Sequence, residues 1–124
     1  MDILNVTGTD ETPKITLNPI EGVFEISGRS LPEDSAEFYK PVIQWLEKFK
    51  DAAYQKCDFT IKLDYFNTSS SKMILDVLHS LQNVKESGKD TRVIWYYQED
   101  DEDMEEAGQE FSELVEVPFE FKSY

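Results

Sequence analysis

Leu63-Asp64-Tyr65-Phe66-Asn67-Thr68-Ser69-Ser70-Ser71-Lys72 joins the end of a strand to the start of a helix. Upstream, Phe59, Ile61, Leu63 and Tyr65 alternate with Thr60, Lys62 and Asp64, the period of a half-buried strand. Downstream, Met73, Ile74, Val77, Leu78, Leu81 and Val84 recur at helical spacing. The pattern predicts a strand over Asp58–Phe66 and a helix over Ser69–Lys85, opening at Thr68 and stopping near Ser87-Gly88, where Gly suits a helix end. Four consecutive hydroxyls mark the junction. The first N–H groups of a helix lack intrahelical partners, and the macrodipole makes that end locally positive. A hydroxyl there can cap the helix, and a phosphate there would be received by the same N–H groups. The pattern alone supports either a Ser/Thr-rich cap or a phosphorylation site.

Working outward, the N-terminal part reads as strands. Ile3–Val6 is a short candidate. Ile15 and Leu17 alternate with Lys14 and Thr16, Asn18-Pro19-Ile20-Glu21-Gly22 supplies a turn, and Phe24 and Ile26 alternate on the return. Asp34 with Glu37 three residues on has the form of a capping box. It opens an apolar stripe of Phe38, Val42, Trp45, Leu46, Phe49 and Ala53. Pro41 inside that stripe predicts a kink, or a main helix preceded by a short one.

Beyond the central unit, Arg92–Tyr97 is a strand apolar on both faces and belongs inside a sheet. Gln98–Glu106 is almost wholly acidic. From it Met104, Ala107, Gly108, Phe111 and Leu114 extend as an amphipathic helix, and Pro118–Lys122 alternates as a last strand. The expectation is a single α/β domain over residues 1–124. Its mixed sheet joins an antiparallel N-terminal hairpin to parallel strands, with about three helices packed mainly on one face.

Composition narrows the function. The formal charge is −14, from 26 acidic and 12 basic residues, which argues against direct binding to nucleic acid or anionic membrane. No apolar run approaches the ~20 residues of a membrane span. Met1–Asn5 has neither a basic n-region nor an apolar h-region, so a cytoplasmic protein is expected. The single cysteine, Cys57, excludes an internal disulfide and reads as a buried structural thiol.

Catalytic patterns are sparse. The five glycines form no phosphate-binding loop. His79, the one histidine, falls on the polar side of its helix without partners at helical spacing. The tract Glu99-Asp100-Asp101-Glu102-Asp103 lacks the glycine of an EF-hand loop. It reads more simply as acids favouring a helix start. No cofactor, metal or catalytic residue is expected. Two other functions stay open: a constitutive acidic interaction module, and a small metal-dependent enzyme using residues 99–106.

Three stretches together resemble one family. They are Leu31-Pro32-Glu33-Asp34-Ser35-Ala36-Glu37-Phe38-Tyr39 with Pro41, then Tyr65–Lys72, then Glu99–Gly108. In length and motif order the chain is similar to SiaC-type bacterial regulatory phosphoproteins. The resemblance implies a fold like that of STAS domains, the anti-sigma-factor-antagonist class. It implies a serine/threonine kinase of the anti-sigma-factor type that phosphorylates a threonine, which falls on Thr68, and a PP2C-type phosphatase that reverses it. It further implies that the unphosphorylated form binds and promotes a diguanylate cyclase, linking the switch to cyclic-di-GMP and biofilm behaviour. The expected partner surface surrounds the acceptor: Asn67, Thr68, Ser69, Ser70, Ser71, Lys72, Met73 and Asp76.

Overall fold

The computed structural model describes residues 1–124. In chain order the elements are β1 Leu4–Val6, β2 Lys14–Asn18, β3 Val23–Ser30, α1 Ser35–Phe49, β4 Lys56–Phe66, α2 Thr68–Glu86, β5 Asp90–Tyr97, α3 Glu102–Leu114 and β6 Phe119–Ser123. They form one six-stranded sheet in sequence order, β1-β2-β3-β4-β5-β6. The first three strands are antiparallel. From β3 onward every neighbour is parallel. The three crossovers therefore step in one direction across the sheet. Since such crossovers are right-handed, all three helices lie on the same face.

That face holds the core. Ile15, Leu17, Phe24, Ile26, Phe59, Ile61, Leu63, Val93 and Trp95 point into it, against Val42, Leu46 and Phe49 of α1 and Ile74, Val77, Leu78 and Leu81 of α2. The opposite face stays wet, as the alternating strands imply. An ion-pair ladder crosses it: Lys56 to Asp58, Asp58 to Arg92, Arg92 to Glu120 at 2.7 Å, and Glu120 to Lys122. Pairs this exposed contribute little stability singly. They keep the uncovered face polar.

Four local expectations change. β4 begins at Lys56, two residues before the predicted start. α1 continues as one helix through Pro41, so no short preceding helix forms. Pro41 is exposed, and water can meet the carbonyl its missing N–H leaves unpaired. The capping contact is present, with Asp34 Oδ1 accepting from Glu37 N at 3.1 Å. Ala53 lies beyond the helix and is exposed, so the buried stripe ends at Phe49.

The fourth change bears on the site. Gly28 pairs with Leu63 but Arg29 pairs with Tyr65, so Asp64 is an extra residue in β4. A bulge of this kind shifts every later side chain to the other face. Tyr65 therefore leaves the core pattern predicted for it and is 46% exposed. Its ring lies beneath the Arg29 guanidinium, 5.6 Å from centroid to Cζ. Phe66 takes the inward place and packs on Phe111 of α3 at 6.1 Å. The bulge thus re-aims the last residue before α2.

α3 approaches the sheet closely at Gly108. A Cβ there would come 2.5 Å from the Trp95 indole, whose Nε1 donates to the Met104 carbonyl. Neither group can yield cheaply. Gly108→Ala is expected to destabilise the fold by about 1–3 kcal/mol, read as a lower urea midpoint. An unchanged midpoint would mean that α3 is free to shift.

Candidate functional site

The start of α2 is built from β3, β4 and α1 together. Asn67 is its N-cap, in extended backbone, with Oδ1 accepting from Ser70 N at 2.9 Å. Asn67 N donates to the Ser30 carbonyl at 3.1 Å, pinning the strand-to-helix turn to the end of β3. The sequence pattern offered the hydroxyls as caps. The amide of Asn67 takes that place, and the hydroxyls are free for other bonds.

Ser70 is fully buried. Its Oγ donates to the Ser30 carbonyl at 3.0 Å and accepts from Ser30 Oγ at 2.8 Å. The Ser30 proton being so committed, Tyr39 OH donates to Ser30 Oγ at 2.6 Å. Burial pushes the Tyr39 phenol up to about 12, partly offset by the Ser30 contact, so it remains a donor at neutral pH. Ser69 turns toward α1. Its Oγ donates to Asn67 Oδ1 at 3.1 Å and meets Ser35 Oγ at 2.8 Å.

Thr68 differs from these neighbours. It occupies the first helical position and is exposed, and no protein group holds its hydroxyl. Ser70 N–H is bound by Asn67 Oδ1 and Ser71 N–H by the Asn67 carbonyl. Helix geometry leaves the N–H groups of Thr68 and Ser69 without intrahelical partners. Thr68 and Lys72 line a groove of about 460 Å³ between α2 and α3, whose walls include Phe66, Leu75, Glu110, Phe111 and Leu114. Ser71, half-buried, lines it too.

The other expected partner residues are distributed unevenly. Lys72 is exposed; Met73 and Asp76 are half-buried. Met73 lines a second groove with Asp34, Glu37, Lys40 and Ile43 of the α1 side. Ser70 offers no surface at all, because its hydroxyl is consumed by the contact with Ser30. His79 is exposed.

The acidic tract is a helix start. Asp101 caps α3, accepting from Met104 N at 3.0 Å, and Glu102, Asp103 and Glu105 fill the first turn. No three His, Cys, Asp or Glu side chains converge in a way that could hold a metal ion.

Sequence reading missed Ser30, Ser35 and Tyr39 as supports of the site. Ser35 and Tyr39 fall in the first of the three family-like stretches, and they meet Ser69 of the second and, through Ser30, Ser70. The third stretch supplies Ala107 to the groove beside Thr68. All three stretches thus gather at one end of the molecule.

Comparisons with known proteins bear on the family and the fold. The family described as SiaC family regulatory phosphoprotein matches residues 6–124. A protein of Pseudomonas aeruginosa strain UCBPP-PA14 is 32% identical over all of this chain and 98% of its own length. The solved structure of SiaC of Pseudomonas aeruginosa superposes with a TM-score of 0.90 at 31% identity, covering both chains completely. A crystal structure of the diguanylate cyclase SiaD in complex with its activator SiaC, from the same organism, gives 0.90 at 31% identity over 98% of this chain and 99% of that one. Fold and relatives define the class, a single-domain α/β regulatory phosphoprotein. The chain belongs to the SiaC family.

The buried phenol gives a pH signature. Tyr39 has a folded value near 12 against an ordinary 10.0, so the folded state binds its proton more tightly. Its contribution is complete below pH 10 and is lost as pH rises toward 12. Cys57, also pushed up to about 12 from 9.0 by burial and the Asp58 charge, adds a loss that starts earlier. Urea midpoints are expected to fall from pH 9 upward. In Tyr39→Phe the fall above pH 10 should be shallower, by on the order of 2 kcal/mol over the range. An identical slope in the variant would place Tyr39 in contact with water.

Proposed function

We propose that this chain is a binding protein switched by phosphorylation of Thr68. A serine/threonine kinase of the anti-sigma-factor type adds the phosphate and a PP2C-type phosphatase removes it. The unphosphorylated form binds and promotes a diguanylate cyclase, placing the switch in cyclic-di-GMP and biofilm signalling within the cytoplasm. No helix is long and apolar enough to cross a membrane.

One observation carries the choice of residue. Of the four hydroxyls in Thr68–Ser71, only that of Thr68 is both exposed and unengaged by the protein. Family membership supports a phosphoprotein, and the SiaC–SiaD complex of a relative supports a cyclase as output. The local chemistry suits a switch that spares the fold. A phosphate adds about −1.5 to −2 charge. At Thr68 it would meet free N–H groups at the positive end of α2, with Lys72 one turn away. Its effect then falls on whatever covers that surface, by desolvation and like-charge repulsion. Such effects between exposed charges fade beyond about 8 Å at physiological salt, so the partner must lie close to Asn67–Lys72 and the first turns of α2.

Calorimetry of phosphorylated and unphosphorylated chain against the cyclase of the same bacterium tests this. Phosphorylation by the purified kinase is expected to weaken binding by at least about tenfold, roughly 1.4 kcal/mol, with little change in melting. Thr68→Ala should resist labelling and still bind. Equal affinity of the two forms would rule out the switch even if Thr68 carries phosphate.

A further inference from the structure

We infer that the free edge of β6 pairs antiparallel with β6 of a second copy of this chain, on a two-fold axis at Phe121, joining two sheets into one. The inference stands apart from the switch reading above and survives its failure.

The bonding of β6 leaves half of its backbone groups directed outward. β6 is the last strand of the sheet and pairs with β5 alone. Val93 N donates to the Pro118 carbonyl at 2.9 Å, Tyr124 N to the Tyr97 carbonyl at 3.0 Å, and Glu99 N to the Tyr124 carbonyl at 2.9 Å. Pro118 and Tyr124 therefore bond toward β5. Backbone groups alternate sides along a strand, so Glu120 and Lys122 bond inward as well. Phe119, Phe121 and Ser123 turn their N–H and C=O groups to the free edge, where a further strand would bond. β1, at the other edge, spans only three residues.

The side chains of this edge complement themselves. Phe119 pairs with Val93 and Phe121 with Trp95, so both rings lie on the helix face. Trp95, Phe119 and Phe121 form an aromatic row, with centroids 6.4 and 5.8 Å apart, running from the core to the edge. Its outer member, Phe121, is 37% exposed. Glu120 and Lys122 lie on the open face. An axis at Phe121 sets that residue against its own copy, as a pair exchanging both backbone bonds. Phe119 then bonds Ser123 of the second copy, and Glu120 lies directly opposite its Lys122. Opposite charges so placed are favourable, and like charges are not. The neighbouring registers, with the axis at Glu120 or at Lys122, set a charge against its own copy. A lysine on an edge normally discourages pairing; in the Phe121 register it meets a carboxylate, and the aromatic row continues across the axis.

The geometry has a consequence for the site. The two copies run antiparallel, so the carboxyl ends of their parallel strands point in opposite directions. A dimer carries Thr68 at both ends of one continuous sheet. A five-residue edge buries little area, and each copy carries a charge of −14, so the association is weak and depends on concentration.

Sedimentation equilibrium of the unphosphorylated full chain tests this, at up to about 1 mM and in about 0.3 M salt to screen the net charge. A monomer–dimer equilibrium is expected. Ser123→Pro removes an outward N–H and leaves the bonds to β5 intact; it should raise Kd by about tenfold or more. Lys122→Glu and Glu120→Lys each set like charges across the axis and should weaken association similarly. Their equimolar mixture should associate at least as tightly as the wild type, because an edge with two acids then meets an edge with two bases. All three positions are at the edge, so melting should stay close to wild type, and Ser123→Pro decides alone should a charge variant fail to fold. A wild type that stays monomeric throughout would overturn the inference. So would a dimer indifferent to Ser123→Pro, or a mixture that associates no better than its separate components.

Discussion

The start of α2 is held by a buried chain of hydroxyls, Tyr39 to Ser30 to Ser70 and back to the Ser30 carbonyl. Every donor in that chain has an acceptor, and no buried side-chain nitrogen or oxygen in the protein lacks a partner. The requirement is severe, since a buried hydroxyl without a partner costs about 1–3 kcal/mol. Three elements must therefore meet in register: the end of β3, the second turn of α1 and the first turn of α2. With Asn67 anchored to the same carbonyl, the backbone at Thr68 has little freedom. Its exposed hydroxyl is presented from a well-anchored platform, as the proposed switch requires.

The sheet topology explains why this platform is at an end of the molecule. Strands β3 to β6 are parallel and consecutive, so the turns leaving β3, β4 and β5 all emerge at the same edge. In open α/β sheets the crevice outside the carboxyl ends of the strands is the usual place for binding. Here the bulge at Asp64 refines it, turning Phe66 inward against Phe111 and leaving Tyr65 outside under Arg29. Gly108 lets α3 lie directly on Trp95, and so brings its acidic face alongside the opening of α2. Most of the surface repels anions. The positive end of α2 with Lys72 is a local exception, where the unpaired N–H groups and the helix dipole favour an anion.

Much of this was legible in the sequence because it depends on local pattern. Alternation gave the strands, helical spacing gave α2 and α3, and four hydroxyls between two periodicities gave the junction. The acids at 99–106 were correctly read as a helix start, since capping and the macrodipole act within one turn. What stayed hidden was non-local. Nothing in the spacing of Ser30, Ser35, Tyr39, Ser69 and Ser70 announces that they meet, because the contacts span nine to forty residues. Ser70 therefore looked like surface when it is core. The bulge was hidden for a related reason. Leu63-Asp64-Tyr65 continues a perfect alternation, and only pairing with Gly28 and Arg29 reveals the extra residue. Lys89, nearly buried and donating to the Ala52 and Tyr54 carbonyls, was another polar support that charge alone disguised.

The claim that Thr68 is the hydroxyl left free for modification is tested most directly by site-resolved mass spectrometry of the protein from its native bacterium, before and after treatment with a PP2C-type phosphatase. The expected result is a phosphate on Thr68 alone, in a fraction that varies with growth conditions and disappears on treatment. Phosphate on Ser69 or Ser71, or none under any condition, would contradict it.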